Sequence, residues 1–399
     1  MKLLQFGAGN IGRSFIGQLF SRAGYEVVFV EVQPEMIALL NERRRYRVEV
    51  EDDPPATLWV ENVRAVDGRD LPRVAAELAS ADIAGTAVGT AALPHILPAL
   101  AAGLRLRRER GGGPLDVILC ENLRSAAATV REGLARLLPP DFPLDECPGL
   151  VETSIGKMVP IMTAARRAED PLAVYAEAYN TLICDAQGFR NPVPRVPGLD
   201  PKQNVRAYVD RKSFIHNLGH AVTAYVGFVR DPGMVYLWEA VARPEVRAMA
   251  EGAMWESARA LIREYPEEFG EESQRDHIQD LLRRFANRAL GDTVFRVGRD
   301  LPRKLSPEDR LIGALLLDLK QGVPAPNTLL GIAAALRFRA RDDEGRLYPA
   351  DAQFAAEWAP KGPEAILTGV CGLNPRVPAE AACIREVVAS YGRLSAEGA

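Results

Sequence analysis

Apolar positions along the chain follow two regimes. Through the first half, apolar runs of strand length alternate with stretches whose apolar residues recur every three or four positions; in the second half only the helical spacing persists. "KLLQF" predicts a buried strand from Lys2 to Phe6. "NIGRSFIGQLFSRAG" predicts a helix with Ile11, Phe15, Leu19 and Phe20 on one side and a stop at Gly24, and "YEVVFVEV" predicts a second buried strand. Next come "ATLWVENVRAV" as an edge or extra strand, "DLPRVAAELASA" as a helix and "ADIAGTAVG" as a buried strand ending in small residues. They are followed by the helix "LPHILPALAAGLRLRRER" and the buried strand "LDVILCEN". Such alternation predicts a parallel sheet with helices on its faces.

From Pro148 to Pro197 the pattern is extended and broken by prolines. "VETSIGKMVPIM" and "PLAVYAEAYNTLICDAQ" are expected to complete the sheet, and "GFRNPVPRVPG" to act as a linker. Beyond it, segments such as "QNVRAYVDRKSFIHNLGHAVTAYVGFV" and "RPEVRAMAEGAMWESARALIREY" are helical in period. The expected organisation is an α/β dinucleotide-binding domain over residues 1–196 and a mainly α-helical domain over 197–399.

At the end of the first strand, Gly7, Gly9 and Gly12 fit G-x-G-x-x-G, and Glu31 stands 19 residues past Gly12 near the end of the second strand. Gly7 permits the tight turn, Gly9 lets backbone approach a pyrophosphate, and Gly12 lets helix and strand pack closely. Asn10 and Ile11 open the helix whose N-terminal N–H groups and dipole suit phosphate. Glu31 accepts hydrogen bonds from ribose hydroxyls and repels a 2′-phosphate, which favours NAD over NADP. Ligands of open parallel sheets sit beyond the carboxyl ends of the strands, so Thr86, Val88 and Gly89, together with Glu121 and Asn122, are directed at the same crevice.

A net charge of −4 over 399 residues provides no basic field for nucleic acid, and a small-molecule partner is expected instead. No run approaches the roughly 18 apolar residues of a membrane span. "MKLLQFGAGN" reaches its glycine turn before a signal-peptide core forms, so a cytoplasmic protein is expected, monomeric or weakly homo-oligomeric. The five scattered cysteines, with no C-x-x-C pair and no histidine nearby at metal-ligand spacing, are expected to remain thiols, and with only four histidines a zinc site would have to be assembled from distant residues, so no metal is expected. Arginine outnumbers lysine 42 to 7. A retained lysine is therefore a candidate for what arginine cannot do, such as losing a proton near neutral pH.

"KSFIHNLGH" places Lys212, Asn217 and His220 at K-x4-N-x2-H. On an α-helical wheel Lys212, His216, His220 and Asn217 fall at about 0°, 40°, 80° and 140°, so they are expected to share one face. A neutral lysine takes a proton from a carbinol, asparagine donates to the developing alkoxide, and a histidine holds the neighbouring hydroxyl; together they suffice for metal-free hydride transfer to NAD. The wheel does not separate His220 from His216.

The stretches "FGAGNIGRSFIG", "TAVG", "CENL", "VDRKSFIHNLGHAVTAYVG", "RVGRDLPRKLSPEDRLI" and "GIAAALRFR" resemble, from end to end of the chain, the polyol-specific long-chain mannitol dehydrogenase family and, within it, the mannitol-1-phosphate 5-dehydrogenases. The resemblance implies a Rossmann domain followed by a mainly helical domain with catalysis in the cleft between them. It also implies Lys212 as general base or acid, Asn217 and His220 as its helix partners, and Asn122 as a second donor to the reacting oxygen. It points to Arg303, Lys304 and Arg310 as a clamp for a substrate phosphate. The implied reaction interconverts mannitol 1-phosphate and fructose 6-phosphate; a free polyol or a hexuronate as substrate, or an NAD-binding regulatory protein without turnover, are the alternatives. One departure stands out: where these enzymes carry "DRI-x-P", this chain has "GKMVP", with Gly156 and Lys157 in place of an acid and an arginine.

Overall fold

The structure, a computed structural model, describes residues 1–52, 54–160 and 162–396. It divides into two compact units, Met1–Val209 and Asp210–Ala399.

The first unit contains strands β1 (Lys2–Phe6), β2 (Glu26–Glu31), β3 (Arg45–Val50), β4 (Ala56–Glu61), β5 (Val63–Asp67), β6 (Ile83–Thr86), β7 (Asp116–Leu119), β8 (Gly149–Ser154), β9 (Val174–Ala176), β10 (Leu182–Asp185) and β11 (Leu199–Lys202). Eight form one sheet in the order β11-β10-β8-β7-β6-β1-β2-β5, parallel except where β10 meets β8. Its central strands are largely apolar because both faces are covered, with Gln5, Thr86 and Asp116 as buried polar exceptions. Leu3, Val27 and Phe29 enter one layer with Phe15, Ile16 and Leu19. Their alternates Leu4, Phe6, Val28 and Val30 enter the other with Leu78, Leu97 and Leu100 from the helices Leu71–Ala79 and Leu93–Glu109.

"ATLWVENVRAV" is two strands. Asn62 takes φ 57° between them, a left-handed value that asparagine tolerates, and the chain turns there from β4 into β5. β5 closes the main sheet beside β2, whereas β4 joins a second, three-stranded sheet in the order β4-β3-β9. In "VETSIGKMVPIM" only Gly149–Ser154 is strand; residues 155–160 are irregular, and Ile161 lies outside the described residues. The proline-rich linker stretch is held down by Asp116, whose carboxylate accepts from Arg190 N (2.7 Å), Asn191 N (3.2 Å) and Asn191 Nδ2 (2.8 Å). After it β11 pairs in parallel with β10.

In the second unit, helix replaces strand throughout the described residues, apart from an isolated bridge between Tyr236 and Thr293. The helix Val205–Arg211, which begins before the unit boundary, runs into a π-helical turn, Lys212–Asn217, and continues as Leu218–Arg230. The last segment packs against helices Pro244–Glu264 and Pro326–Arg337, and Pro378–Ala396 packs on the latter. Helix contact is close: a β-carbon at Gly331 would lie 2.7 Å from Val222. Among the described residues no helix is long and apolar enough to cross a membrane.

Candidate active site

In the first unit the carboxyl ends of β1, β2, β6 and β7 converge on a backbone cradle. Gly7, locked by its N–H to Val30 O (2.9 Å), has φ +90°, and a β-carbon there would lie 2.6 Å from Ala87 O. Only glycine meets both demands. A β-carbon at Gly12 would run into the Gly7 carbonyl, while one at Gly9 would meet nothing within 4 Å, so Gly9 leaves open space in front of the loop. Asn10 is exposed and Ile11 half-buried where the helix begins.

Glu31 points its carboxylate back at this loop. Oε2 accepts from Ala8 N (3.1 Å), and Oε1 accepts from Val32 N (2.7 Å) and Gln33 N (3.2 Å). Thr86 is buried at the end of β6. Beyond it Val88 N (3.0 Å) and Gly89 N (2.8 Å) donate to the buried carboxylate of Glu121, and Asn122, next in the chain, is exposed. A tight glycine turn, free space at Gly9, a helix start and an acid at the end of the second strand fit a dinucleotide. Glu121 as the brace of the Val88–Gly89 loop is not visible from spacing, because the two stretches are separated in sequence and meet only through the β6–β7 pairing.

In the second unit Lys212 opens the π-helical turn and Asn217 closes it. A π-turn bonds i to i+5 rather than i+4, so the extra residue narrows the roughly 140° that separates the two on an α-helical wheel. His220 stacks on Phe285 (ring centroids 4.8 Å, interplanar 20°) with Nε2 3.0 Å from Asp292 Oδ2, and Asp292 Oδ1 accepts from Arg296 Nε at 2.6 Å. Burial works against the Asp292 carboxylate, but His220 and Arg296 together outweigh it and hold the group down to about 2. Burial lowers His220 below its ordinary value, with Asp292 opposing. His220 thus turns Nε2 toward the Asp292 carboxylate and leaves Nδ1 on the other edge of the ring. His216 packs against the rings of both His220 (6.1 Å) and Phe285 (5.7 Å); burial and then Arg284 push it well below the usual histidine range.

Burial, and then the Arg310 guanidinium, press Lys212 down to about 8, against the pull of Asp309. Arg310 is itself buried, with Nε 2.8 Å from Asp309 Oδ1. The other two cations of the expected clamp have partners inside the fold. Arg303 pairs with Asp300 (2.5 Å) and Asp309 (2.8 Å), and Lys304, buried, donates to the carbonyls of Val297 (2.5 Å) and Arg299. Lys157 is buried in the first unit; its Nζ donates to Tyr179 O (2.7 Å) and Asn180 Oδ1 (3.0 Å) and lies 5.2 Å from the Phe15 ring centroid. Among the described residues no three His, Cys, Asp or Glu side chains gather in a way that could hold a metal ion. Asp292 and Arg296 escape the sequence reading, although their i, i+4 spacing on "DTVFR" is the trace they leave in it.

Comparison with known proteins bears on the fold and the family. The structure of a D-sorbitol dehydrogenase in substrate-free form superposes with a TM-score of 0.80 at 16% identity, over 99% of this chain and 93% of that one. The Pseudomonas fluorescens mannitol 2-dehydrogenase, in ternary complex with NAD and D-mannitol, gives 0.73 at 17% identity, over 100% and 92%. These likenesses establish the fold. Residues 1–198 match the mannitol dehydrogenase Rossmann domain and residues 204–393 the mannitol dehydrogenase C-terminal domain, so the chain belongs to the mannitol dehydrogenase family of NAD-dependent polyol dehydrogenases.

Proposed function

We propose that the protein interconverts a sugar-alcohol phosphate and a ketose phosphate, mannitol 1-phosphate and fructose 6-phosphate, with NAD as hydride carrier. When bound, the cofactor supplies the acceptor or donor of the hydride at its nicotinamide ring. The chain's own residues handle the proton. In the oxidising direction neutral Lys212 takes the carbinol proton as the C–H hydride leaves; in reduction the Lys212 ammonium returns it to the carbonyl oxygen. Asn217 and Asn122 donate hydrogen bonds to that oxygen, and His220, aligned by Asp292, accepts from the adjoining hydroxyl. Glu31 and the Gly7–Gly12 loop hold the ribose and pyrophosphate. The observation that carries the reading is the placement of Lys212 and Asn217 at the two ends of one π-turn, with Arg310 close enough to depress the lysine.

In this proposal Arg310 provides the main charge for the substrate phosphate, with Arg303 and Lys304 beside it. A second reading, the same chemistry on a free polyol, is favoured by the internal ties of Arg303 and Lys304. NADH consumption with fructose 6-phosphate, fructose and ketohexuronates separates the two. The phosphate reading expects kcat/KM for fructose 6-phosphate to exceed that for fructose by about 100-fold, the worth of a few charge-assisted hydrogen bonds. Equal values establish the free-polyol reading instead.

A further inference from the structure

Arg13 stands in the first turn after the glycine loop and is 5% exposed. A buried guanidinium ordinarily sits against a carboxylate. This one does not: Nε donates to Ala8 O (2.6 Å), Nη1 donates to Leu172 O (2.6 Å) and Pro171 O (3.3 Å), and no carboxylate of the described residues comes within ion-pair distance. Burial lowers its pKa, and the nearest opposing charges, Glu31 and Asp170, act through space only. Glu31 is engaged with the N–H groups of Ala8, Val32 and Gln33, and Asp170 with Arg43 and Arg47.

The bond to Ala8 has a consequence for the loop. In a planar trans peptide the carbonyl of one residue and the N–H of the next point in opposite directions. Arg13 holds the Ala8 carbonyl, so the Gly9 N–H of the same peptide is turned away from Arg13, in a loop where a β-carbon on Gly9 would meet nothing within 4 Å. Glu31 grips the preceding peptide through the Ala8 N–H. The Arg13 backbone is fixed as well, its N–H donating to Gly9 O (3.0 Å) and its carbonyl accepting from the Tyr46 hydroxyl (2.8 Å).

We propose that Arg13 is a cofactor-positioning residue: its guanidinium holds the Ala8–Gly9 peptide with the Gly9 N–H facing the cofactor pyrophosphate, and places behind that loop a positive charge whose counter-ion is the pyrophosphate. The inference rests on the dinucleotide reading of the loop and adds to it a residue outside the glycine motif. An arginine that merely stapled the loop to Pro171 and Leu172 would matter equally for every ligand of the site.

The test is competition against NADH fluorescence by ADP-ribose and by adenosine, for the wild-type protein, Arg13→Met and Arg13→Lys. Arg13→Met is expected to weaken NADH and ADP-ribose alike by about 10- to 100-fold, the effect of losing a hydrogen-bonded charge, and adenosine by less than about 2-fold. KM for NADH should rise by the same factor, with kcat at saturating NADH within about 2-fold of wild type. Arg13→Lys, which keeps the charge but loses the fork, is expected to weaken ADP-ribose by about 3- to 10-fold with adenosine unchanged, and decides the matter if the methionine variant does not fold. ADP-ribose binding within about 2-fold of wild type in the variants, or an equal loss for adenosine, overturns the role of Arg13. A wild-type protein that binds neither NADH nor ADP-ribose overturns the dinucleotide reading itself.

Discussion

His220 Nε2 lies 3.0 Å from Asp292 Oδ2, and that carboxylate is fixed on its other oxygen by Arg296 Nε at 2.6 Å. A fixed carboxylate facing Nε2 orients the ring and leaves Nδ1 on its opposite edge.

Asp292→Asn tests this alignment. The amide can turn its NH2 group toward Nε2 and force the other tautomer, so kcat is expected to fall by about 100-fold while the dissociation constant for NADH stays unchanged. Steady-state kinetics beside an NADH titration checks both. Wild-type kcat in the variant would show that Asp292 does not orient His220.

The Lys212 pKa, near 8, fixes the sign of the pH dependence in each direction. Polyol oxidation requires the neutral amine and should rise with pH to a plateau, with its midpoint near 8. Ketose reduction consumes the ammonium and should fall over the same range. Burial is the larger cause of the depression and Arg310 the second, so Arg310→Gln should move the midpoint upward by up to about one unit. Profiles of kcat at saturating substrate and cofactor measure this, and an unmoved midpoint would remove Arg310 from the electrostatics of the lysine.

How far the sequence carries is clearest at these residues. The β-α-β opening is legible because each part has its own local signal: an apolar run, glycines at its end, a helical period and an acid at the close of the next run. The catalytic spacing is legible as a pattern but not as a geometry. An α-helical wheel puts Asn217 and Lys212 on one face but about 140° apart, and the π-turn that narrows the gap leaves no mark in the apolar periodicity. The sequence directs Glu121 at the crevice without revealing its partner, and leaves Asp292 and Arg13 unmarked, for a common reason. Each acts through a partner made by tertiary packing, and charged residues in this composition carry no sign of being buried. Arg303 and Lys304 show the converse, since cations drawn to the substrate by family resemblance hold acids and carbonyls of their own fold.

Asp318 should make the protein less stable in alkali. It is 0% exposed on the helix Ile312–Lys320, and neither carboxyl oxygen has a partner among the described residues. The charged group facing it is Glu256, whose carboxylate is taken up by the N–H groups and side chains of Asn327 and Thr328. Burial, and then Glu256, push Asp318 up to about 8. Because the folded-state value lies above the unfolded one near 4, its contribution is fully present below about pH 4 and is lost progressively as pH rises to about 8. Asp318→Asn cannot ionise. Its Tm relative to wild type should therefore be more favourable at pH 8 than at pH 5, and a Tm difference that is the same at both pH values would contradict the buried neutral carboxyl.

The proton carried by Lys212 is the centre of the account, and the most direct measurement is NADH oxidation by wild type and Lys212→Ala at saturating NADH with fructose 6-phosphate and with fructose, beside an NADH titration of both proteins. Loss of at least about 1,000-fold in kcat with NADH affinity unchanged is the result expected when the proton donor alone is removed. Turnover in Lys212→Ala at the wild-type rate, on whichever ketose the wild type reduces, would contradict it.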